Sequence, residues 1–268
     1  MRALVNGRED GRIDPMDRGL HYGDGLFETI AVLDGRARFR DWHLERLAEG
    51  AARLAIPLPE PGALRAEIDA ACAAGQGIVK LIVTRGAGER GYRPPRRPEP
   101  TRVVIGLPWP ELPPAAWTRG VRVGWCRTRL GRNPFLAGIK HLNRLEPVLA
   151  RAEWDDDGTA EAIMMDDRDH AIGGTQTNLF AWIAERWITP VVDQCGVAGI
   201  MRRAFLAWAA ERGAPVIQRA LPAAELAGAT SMLLTNAVIG AWPVNELAGR
   251  AMAPDPRVAE FNAWVRRQ

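Results

Sequence analysis

Two lysines, Lys80 and Lys140, are the only primary amines on the side chains of this 268-residue sequence, although it contains 35 lysine and arginine residues. A lysine amine can lose its proton and condense with an aldehyde, whereas an arginine guanidinium does neither at usable pH. Because arginine serves wherever a surface charge is needed, a position that keeps lysine is a candidate for amine chemistry.

The surroundings of the two lysines differ. Lys80 lies in the run GIVKLIV, which alternates as a strand does, and the simplest interpretation is a lysine whose stem covers apolar surface. Lys140 follows the loop GRNPFLAGI, residues 131–139, and precedes HLNRLE, which we predict to open a helix. An amine presented from an irregular segment at a helix start can reach a ligand in a cleft, so Lys140 is the catalytic candidate.

A candidate anion site is the segment GVAGIMR, residues 196–202. Its small residues would leave amide groups accessible where a helix begins, and a helix N-terminus favours an anion. A plain glycine-containing turn explains the same segment equally well. The apolar strand predicted at 232–235 ends in Thr235 and Asn236, which by themselves signal only a strand end.

The elements that would position these residues alternate between strand and helix, which indicates a mixed α/β protein. Apolar spacing and β-branched residues predict strands at 27–32, 36–39, 78–84, 102–105, 121–126, 160–165, 179–183 and 232–235. Helices are predicted from Trp42 and over 62–74, 141–154 and 198–212. The four prolines between residues 108 and 114 can sustain neither element, so we expect two domains, residues 1–112 and 113–268.

Composition argues against several classes of protein. The net charge is only +3 and basic residues are mixed with acidic ones, so nucleic-acid binding is not expected. No segment approaches ~18 uncharged apolar residues and no signal peptide is apparent, so we expect a cytoplasmic protein without membrane partners. Neither the three cysteines nor His21, His43 and His141 show metal-ligand spacing, and we assign these histidines no catalytic role.

Separate motifs along the chain resemble those of class IV aminotransferases, the fold type IV pyridoxal-phosphate enzymes. GRNPFLAGIKHLNRLE, residues 131–146, is similar to the segment with the cofactor-bearing lysine, and most similar to that of aminodeoxychorismate lyases. DRGLHYGDGLFET, residues 17–29, resembles the N-terminal signature. Shorter matches follow in the family's order: HLERL at 43–47, TRGAGERGY at 84–92, NLF at 178–180, GVAGIMR at 196–202 and LLTNAVIGAWPV at 233–244.

This resemblance implies a fold, a cofactor and a set of site residues. The fold would be an N-terminal α/β domain and a C-terminal pseudo-barrel with pyridoxal 5'-phosphate between them, in a homodimer. Lys140 would bond covalently to the cofactor and later shuttle protons. The other cofactor contacts carried over are Arg46, Ile200, Met201, Thr235, Asn236 and Thr175, and the substrate contacts are Arg90, Tyr92 and Tyr22.

Plainer interpretations stand beside several of these assignments. Arg46 also fits a solvated charge on the polar face of its helix, and Thr175 fits a turn-forming residue. In some family members the positions of Arg90 and Tyr92 bind the substrate carboxylate of the neighbouring subunit, but an ordinary surface loop explains these two residues about equally well. Tyr22 fits a buried core tyrosine nearly as well as an aromatic wall beside the cofactor.

One position departs from the family pattern. Five residues before the Asn of NLF, these enzymes commonly place a glutamate that pairs with the protonated pyridine nitrogen, and here that position is Gly173, in a stretch without any carboxylate. A carboxylate keeps the ring protonated and deepens its capacity to hold carbanion charge. Its loss should penalise transamination more than an elimination whose product becomes aromatic, although a hydroxyl, an amide or water can replace the contact.

We therefore expect a lyase that converts 4-amino-4-deoxychorismate into 4-aminobenzoate and pyruvate, a step toward folate. The first alternative is a class IV aminotransferase that acts on D-amino acids or branched-chain amino acids. The second is a cofactor-binding protein that has lost turnover, an alternative that Gly173 keeps open.

Overall fold

The computed structural model describes residues 2–72, 74–156 and 158–268. The chain forms two compact units: one contains the residues up to Glu111 and Ile139–Asn143, the other Leu112–Gly138 and Arg144–Gln268. The expected boundary at residue 112 assigned Lys140 to the C-terminal domain, whereas the structure assigns it to the first unit. Hydrogen bonding explains the difference, because the Phe27 amide donates to the Lys140 carbonyl at 3.0 Å.

The first unit is built on a five-stranded antiparallel sheet. Its strands are β1 (Arg2–Val5), β2 (Gly25–Leu33), β3 (Arg36–Ala37), β4 (Gly77–Thr84) and β5 (Arg102–Pro108), and its helices are α1 (Arg18–Tyr22), α2 (Arg40–Leu54) and α3 (Pro61–Ala71). The strand order is β1-β5-β4-β2-β3. Successive residues of a strand point to opposite faces, so the buried residues Leu26 and Glu28 face α2 while Phe27 is half-buried on the other face.

The second unit is built around a closed sheet. Its strands are β6 (Val121–Leu130), β7 (Thr159–Asp166), β8 (Ala171–Gly174), β9 (Asn178–Ile183), β10 (Arg186–Pro190), β11 (Ile217–Arg219), β12 (Ser231–Asn236), β13 (Gly240–Leu247) and β14 (Arg250–Ala251). Its helices are α4 (Ala115–Thr118), α5 (Leu145–Arg151), α6 (Ile200–Ala210) and α7 (Pro256–Val265), with a 3₁₀ helix at Ala223–Gly228.

The closure of this sheet depends on β8. Neighbouring strands run β11-β10-β9-β12-β13-β6-β7-β8, and β8 pairs back to β9 through Gly173 and Asn178. Six strands therefore close into a barrel around apolar residues that include Leu179, Met232 and Val244. The mixed α/β fold with a pseudo-barrel is confirmed.

The helix predicted at 141–154 is wrong at both ends. The helix α5 spans only Leu145–Arg151, because residues 139–142 extend along β2, where the Leu142 amide donates to the Gly25 carbonyl at 2.9 Å. The helix predicted at 62–74 corresponds to α3, which ends at Ala71, and residue 73 lies outside the described residues. Among the described helices, none has the length and apolar character needed to cross a membrane.

Candidate active site

The position of Lys140 is set by strand pairing. His141 forms an antiparallel bridge with Leu26, so Lys140 lies opposite Phe27 and shares its face of the sheet. The Lys140 Nζ lies 4.2 Å from the centroid of the Phe27 ring, a distance at which an ammonium group is attracted to the ring. The amine is therefore presented from the edge of a sheet, and no helix start is involved.

Lys80 is brought to the same ring, which the sequence analysis did not anticipate. Lys80 lies opposite Thr29 of β2 and Ile105 of β5, and its Nζ is 5.6 Å from the Phe27 centroid. It is half-buried, and no carboxylate of the described residues forms an ion pair with it. The scarcity of lysine, which pointed to Lys140, was the signal for this residue as well.

A buried charged cluster lies on the opposite face, between β2 and α2. Glu28 accepts hydrogen bonds from the Arg46 Nε at 2.8 Å and Nη2 at 2.5 Å, and it contacts the His43 Nδ1 at 2.6 Å. Arg46 is only 9% exposed, so the interpretation of Arg46 as a solvated surface charge is wrong. Glu28 and His43, which received no role from sequence, fix the orientation of the guanidinium predicted to bind phosphate.

The pKa values of Glu28 and His43 indicate the charge state of this cluster. Burial by itself would raise the pKa of Glu28, but the Arg46 charge and the hydrogen bond with His43 outweigh it and lower that pKa to about 2. Burial lowers the pKa of His43, an effect that Glu28 offsets only in part. At neutral pH the cluster is thus an arginine–glutamate ion pair with a neutral imidazole, whose buried Nε2 has no hydrogen-bond partner among the described residues.

In the second unit, the segment before α6 leaves the first amides of the helix without a capping side chain. Gly196 adopts φ +84°, and Gly199 is the N-cap of α6 without any side-chain hydrogen bond to the helix. The amides of the first turn, including those of Ile200 and Met201, therefore have no capping side chain. A Cβ on Gly199 would collide with the Asn178 Oδ1, so a larger residue here would have to displace the Asn178 side chain.

Thr235 and Asn236 differ in what they offer a ligand. The Thr235 hydroxyl is buried and has no hydrogen-bond partner among the described residues, so it is available to an anion. The Asn236 side chain is already used, because its Oδ1 accepts from the Val238 and Ile239 amides, each at 2.9 Å. This leaves the backbone and the Nδ2 of Asn236, but not its Oδ1, for a ligand contact.

Thr175 belongs to a turn that is held by a carboxylate from another strand. Glu161 of β7 is 1% exposed and accepts from the Thr175 amide at 2.9 Å and hydroxyl at 2.7 Å. It also accepts from the Thr177 hydroxyl at 3.1 Å and the Gln176 amide at 3.2 Å. The segment 172–177 has no carboxylate of its own, so sequence reasoning missed this one. A buried glutamate within the apolar run AEAIMM was the available signal.

Gly173 is required by its surroundings. A Cβ at this position would lie 2.5 Å from the Thr177 carbonyl oxygen, which is backbone and has little freedom to move. The glutamate that the family commonly places here therefore cannot be accommodated without a shift of the turn.

Tyr22, Arg90 and Tyr92, the predicted substrate contacts, all lie in the first unit. The Tyr22 hydroxyl accepts from the Gly91 amide at 3.2 Å, and the rings of Tyr22 and Tyr92 are 5.3 Å apart. Tyr22 is half-buried rather than part of the core, whereas Arg90 and Tyr92 are exposed. The structure thus brings the two tyrosines together and leaves the side chains of Arg90 and Tyr92 exposed.

The residues present fit pyridoxal phosphate, which needs an amine for its aldehyde and donors for its phosphate. Within the first unit, the Lys140 amine suits an aldehyde and the buried Arg46 suits a phosphate. Within the second unit, the start of α6 has no capping side chain and the Thr235 hydroxyl has no hydrogen-bond partner among the described residues, so both offer donors of the kind that bind phosphate. Each unit by itself thus contains groups of the kind that pyridoxal-phosphate enzymes use. The chain belongs to the class IV aminotransferase family, since the family model described as "Amino-transferase class IV" matches residues 25–247.

Individual relatives extend the match over nearly the whole chain. An aminodeoxychorismate lyase of Vibrio harveyi is 34% identical over 259 residues, which cover 95% of this chain and 93% of that protein. A putative branched-chain-amino-acid aminotransferase of Methanocaldococcus jannaschii is 30% identical, with coverage of 94% and 90%. The crystal structure of 4-amino-4-deoxychorismate lyase from Pseudomonas aeruginosa superposes with a TM-score of 0.94, at 46% identity over 99% of this chain and 98% of that one.

The Glu28 ion pair generates a stability prediction. Glu28→Gln should lower the free energy of unfolding by about 3 kcal/mol near neutral pH, because Arg46 then stays buried without its counter-charge. The deficit should shrink as pH falls from the ordinary pKa of 4.5 toward the folded-state value of about 2, since the wild-type carboxylate also loses its charge there. Urea unfolding followed by circular dichroism between about pH 3 and pH 7 measures the difference.

Glu9→Gln is the matched control, because Glu9 pairs with Arg2 at the exposed surface and its removal should change little. A deficit for Glu28→Gln that stays constant over the whole pH range would contradict the prediction.

Proposed function

We propose that this chain is a pyridoxal-phosphate-dependent carbon–oxygen lyase that converts 4-amino-4-deoxychorismate into 4-aminobenzoate and pyruvate, a step toward folate. The observation that carries the proposal is the Lys140 amine fixed beside Phe27, in a chain 46% identical over 99% of its length to a solved lyase of that name.

Four groups of this chain would contact the cofactor. Lys140 would bind it covalently, and Arg46, oriented by Glu28, would neutralise phosphate charge. The amides of Ile200 and Met201 at the start of α6 and the Thr235 hydroxyl complete the phosphate contacts. When bound, the cofactor supplies an electron sink for charge on the carbon next to the reacting amine.

Lys140 is the proton carrier of the reaction. As a free amine, the Lys140 Nζ would remove the proton from the amine-bearing ring carbon of the substrate. The carbon–oxygen bond at the adjacent carbon then breaks, the enolpyruvyl group leaves with the bonding electrons, and the ring becomes aromatic. Lys140 returns the proton to the departing group, which ends as pyruvate. The sheet edge keeps the amine in place throughout.

Substrate recognition depends on two carboxylates, one on the ring and one on the enolpyruvyl group. Lys80 suits one of them, because it shares the Phe27 ring with Lys140 and no carboxylate of the described residues neutralises it. Arg90 and Tyr92 bind a substrate carboxylate from their exposed loop, with Tyr22 packed against Tyr92. Two cationic contacts suit a dianionic substrate better than an aliphatic amino acid.

The surroundings of Gly173 support elimination over transamination. A side chain at 173 is blocked by the Thr177 carbonyl, and both oxygens of Glu161 already accept hydrogen bonds from the turn. No carboxylate of this turn is left to keep the pyridine nitrogen protonated. The aromatisation of the product supplies driving force that a transamination lacks.

The assay that tests the proposal supplies 4-amino-4-deoxychorismate without any keto-acid acceptor. The expected result is stoichiometric release of 4-aminobenzoate and pyruvate, with a loss of at least about 10³-fold in kcat for Lys140→Ala because the proton carrier is gone. Product that appears only when an acceptor is added would support a class IV aminotransferase. Cofactor absorbance without product from any amine would support a binding protein without turnover.

The two lysines allow a matched test of the cofactor linkage. Borohydride reduction of the pyridoxal-phosphate-loaded protein should leave a stable adduct on Lys140, the amine placed beside Phe27. Peptide mass spectrometry locates it. Lys80→Ala should keep the adduct and Lys140→Ala should lose it, whereas an adduct on Lys80 would contradict the assignment.

The enzyme would act as a homodimer. Leu145, Val148 and Leu149 form an apolar stripe on α5 with exposures of 77%, 60% and 60%, which is typical of a surface that another subunit covers. Val148→Glu should therefore shift the protein toward monomer in sedimentation experiments. Ala214→Glu, which adds the same charge at an exposed position elsewhere, should leave the dimer intact. A monomeric wild type would refute the proposal.

A cytoplasmic location fits the state of the cysteines. Cys72, Cys126 and Cys195 are all free thiols, as expected in a reducing compartment. Burial, reinforced by nearby acidic groups, raises the pKa of Cys126 and of Cys195 to about 12, so these two thiols stay unreactive.

A further inference from the structure

Arg18, the first residue of α1, is 4% exposed. Most of its hydrogen bonds go to backbone carbonyls of residues 91–93. Its Nη1 donates to the Gly91 carbonyl and its Nη2 to the Tyr92 carbonyl, both at 2.9 Å, and Nη1 lies 3.5 Å from the Arg93 carbonyl. Its Nε donates to Asp24 at 2.9 Å. Burial of a guanidinium is costly unless its donors are satisfied, and here they fix three successive carbonyls of an exposed loop.

Asp24 connects this anchor to the rest of the first unit. Its carboxylate also accepts from the Arg85 Nε at 2.7 Å and Nη2 at 3.0 Å. Arg85 in turn donates to the carbonyls of Leu54 and Ala55 at the end of α2. Burial alone would raise the pKa of Asp24, but the two guanidinium groups outweigh it and hold that pKa below its ordinary value. The loop is thus tied to the helical layer through charged hydrogen bonds.

Two glycines, Gly88 and Gly91, allow the loop to pack closely against Arg18. Gly91 adopts φ +107°, a conformation that other residues rarely reach, and a Cβ on Gly88 would lie 3.0 Å from the Arg18 Cδ. The Tyr22 ring lies 4.9 Å from the guanidinium carbon. The carbonyls of residues 91–93 accept hydrogen bonds from Arg18, and the Tyr92 side chain is 84% exposed.

We propose that Arg18 is a positioning residue for substrate binding: it holds the backbone of residues 91–93 so that Arg90 and Tyr92 meet the substrate carboxylate in a preset orientation. The inference rests on the proposed function, in which these two side chains bind substrate. Arg18 itself does not touch the substrate. A loop that is ordered in advance does not lose conformational entropy on binding, so the benefit appears in affinity.

Arg18→Lys is the variant that tests this role. It keeps the charge beside Asp24, but one ammonium nitrogen cannot reach acceptors that now bind three different nitrogens of a planar fork. The KM for 4-amino-4-deoxychorismate should rise about tenfold while kcat and the affinity for pyridoxal phosphate stay close to wild type. Hydrogen exchange of the peptide covering 88–93 should become faster.

Arg8→Lys is the control, because Arg8 forms an exposed pair with Asp10 and should leave every readout unchanged. Faster exchange with an unchanged KM would show that Arg18 is only structural and would overturn the proposal. Arg90→Ala separates the two levels of inference. If it leaves KM unchanged, the assignment of the loop to substrate fails, whereas a raised KM for Arg90→Ala with a normal KM for Arg18→Lys overturns only the role of Arg18.

Tyr22→Phe covers the case in which Arg18→Lys does not fold. It removes the hydroxyl that accepts from the Gly91 amide and leaves all charges in place. Exchange of the Gly91 amide should become faster and KM should rise in the same direction. If neither changes, the loop does not depend on its anchors for binding, and the proposal is overturned.

Discussion

The hydrogen bonds between residues 139–142 and the start of β2 are the constraint on which the site depends. They make Lys140 an added edge residue of the first sheet, although the chain on either side of this segment belongs to the second unit. Side-chain direction then follows from strand alternation, which assigns Lys140, Phe27 and Lys80 to one face and Glu28 to the other. An amine on a sheet edge has little freedom to move, which suits the roles proposed for Lys140 in cofactor binding and proton transfer.

The two faces of β2 carry different charged groups. On one face, two amines share an aromatic ring and no acid of the described residues forms an ion pair with Lys80. On the other, Glu28 stays ionised because Arg46 compensates its burial. A single strand therefore supports a face with two amines and a fixed guanidinium on the other face, and the two faces do not share a carboxylate.

Much of this arrangement could be predicted from sequence, and the failures share one cause. Lysine scarcity selected Lys140 as the candidate amine, whose role stays a prediction, and β-branched runs located most strands. The helix predicted from 141 failed because HLNRLE has good local helix propensity, whereas pairing with a strand more than a hundred residues away decides its conformation. Glu161 and Glu28 were missed for the same reason, since their partners lie 14 to 18 residues away and no local pattern reports such contacts. Strand alternation favoured the interpretation of Lys80 as a lysine whose stem covers apolar surface. Alternation predicts which face of a sheet a side chain occupies, but it does not predict which other side chains share that face.

The closure of the barrel has a consequence for how this protein can change over evolution. β8 meets β9 through the single pair of Gly173 and Asn178, and Asn178 also donates to the Val197 carbonyl just before α6. A bulky side chain at 173 would strain the seam of the barrel together with the segment that begins α6. A descendant that acquired a carboxylate at this position would first need a looser turn, so the route toward amino-group exchange requires coordinated substitutions rather than one.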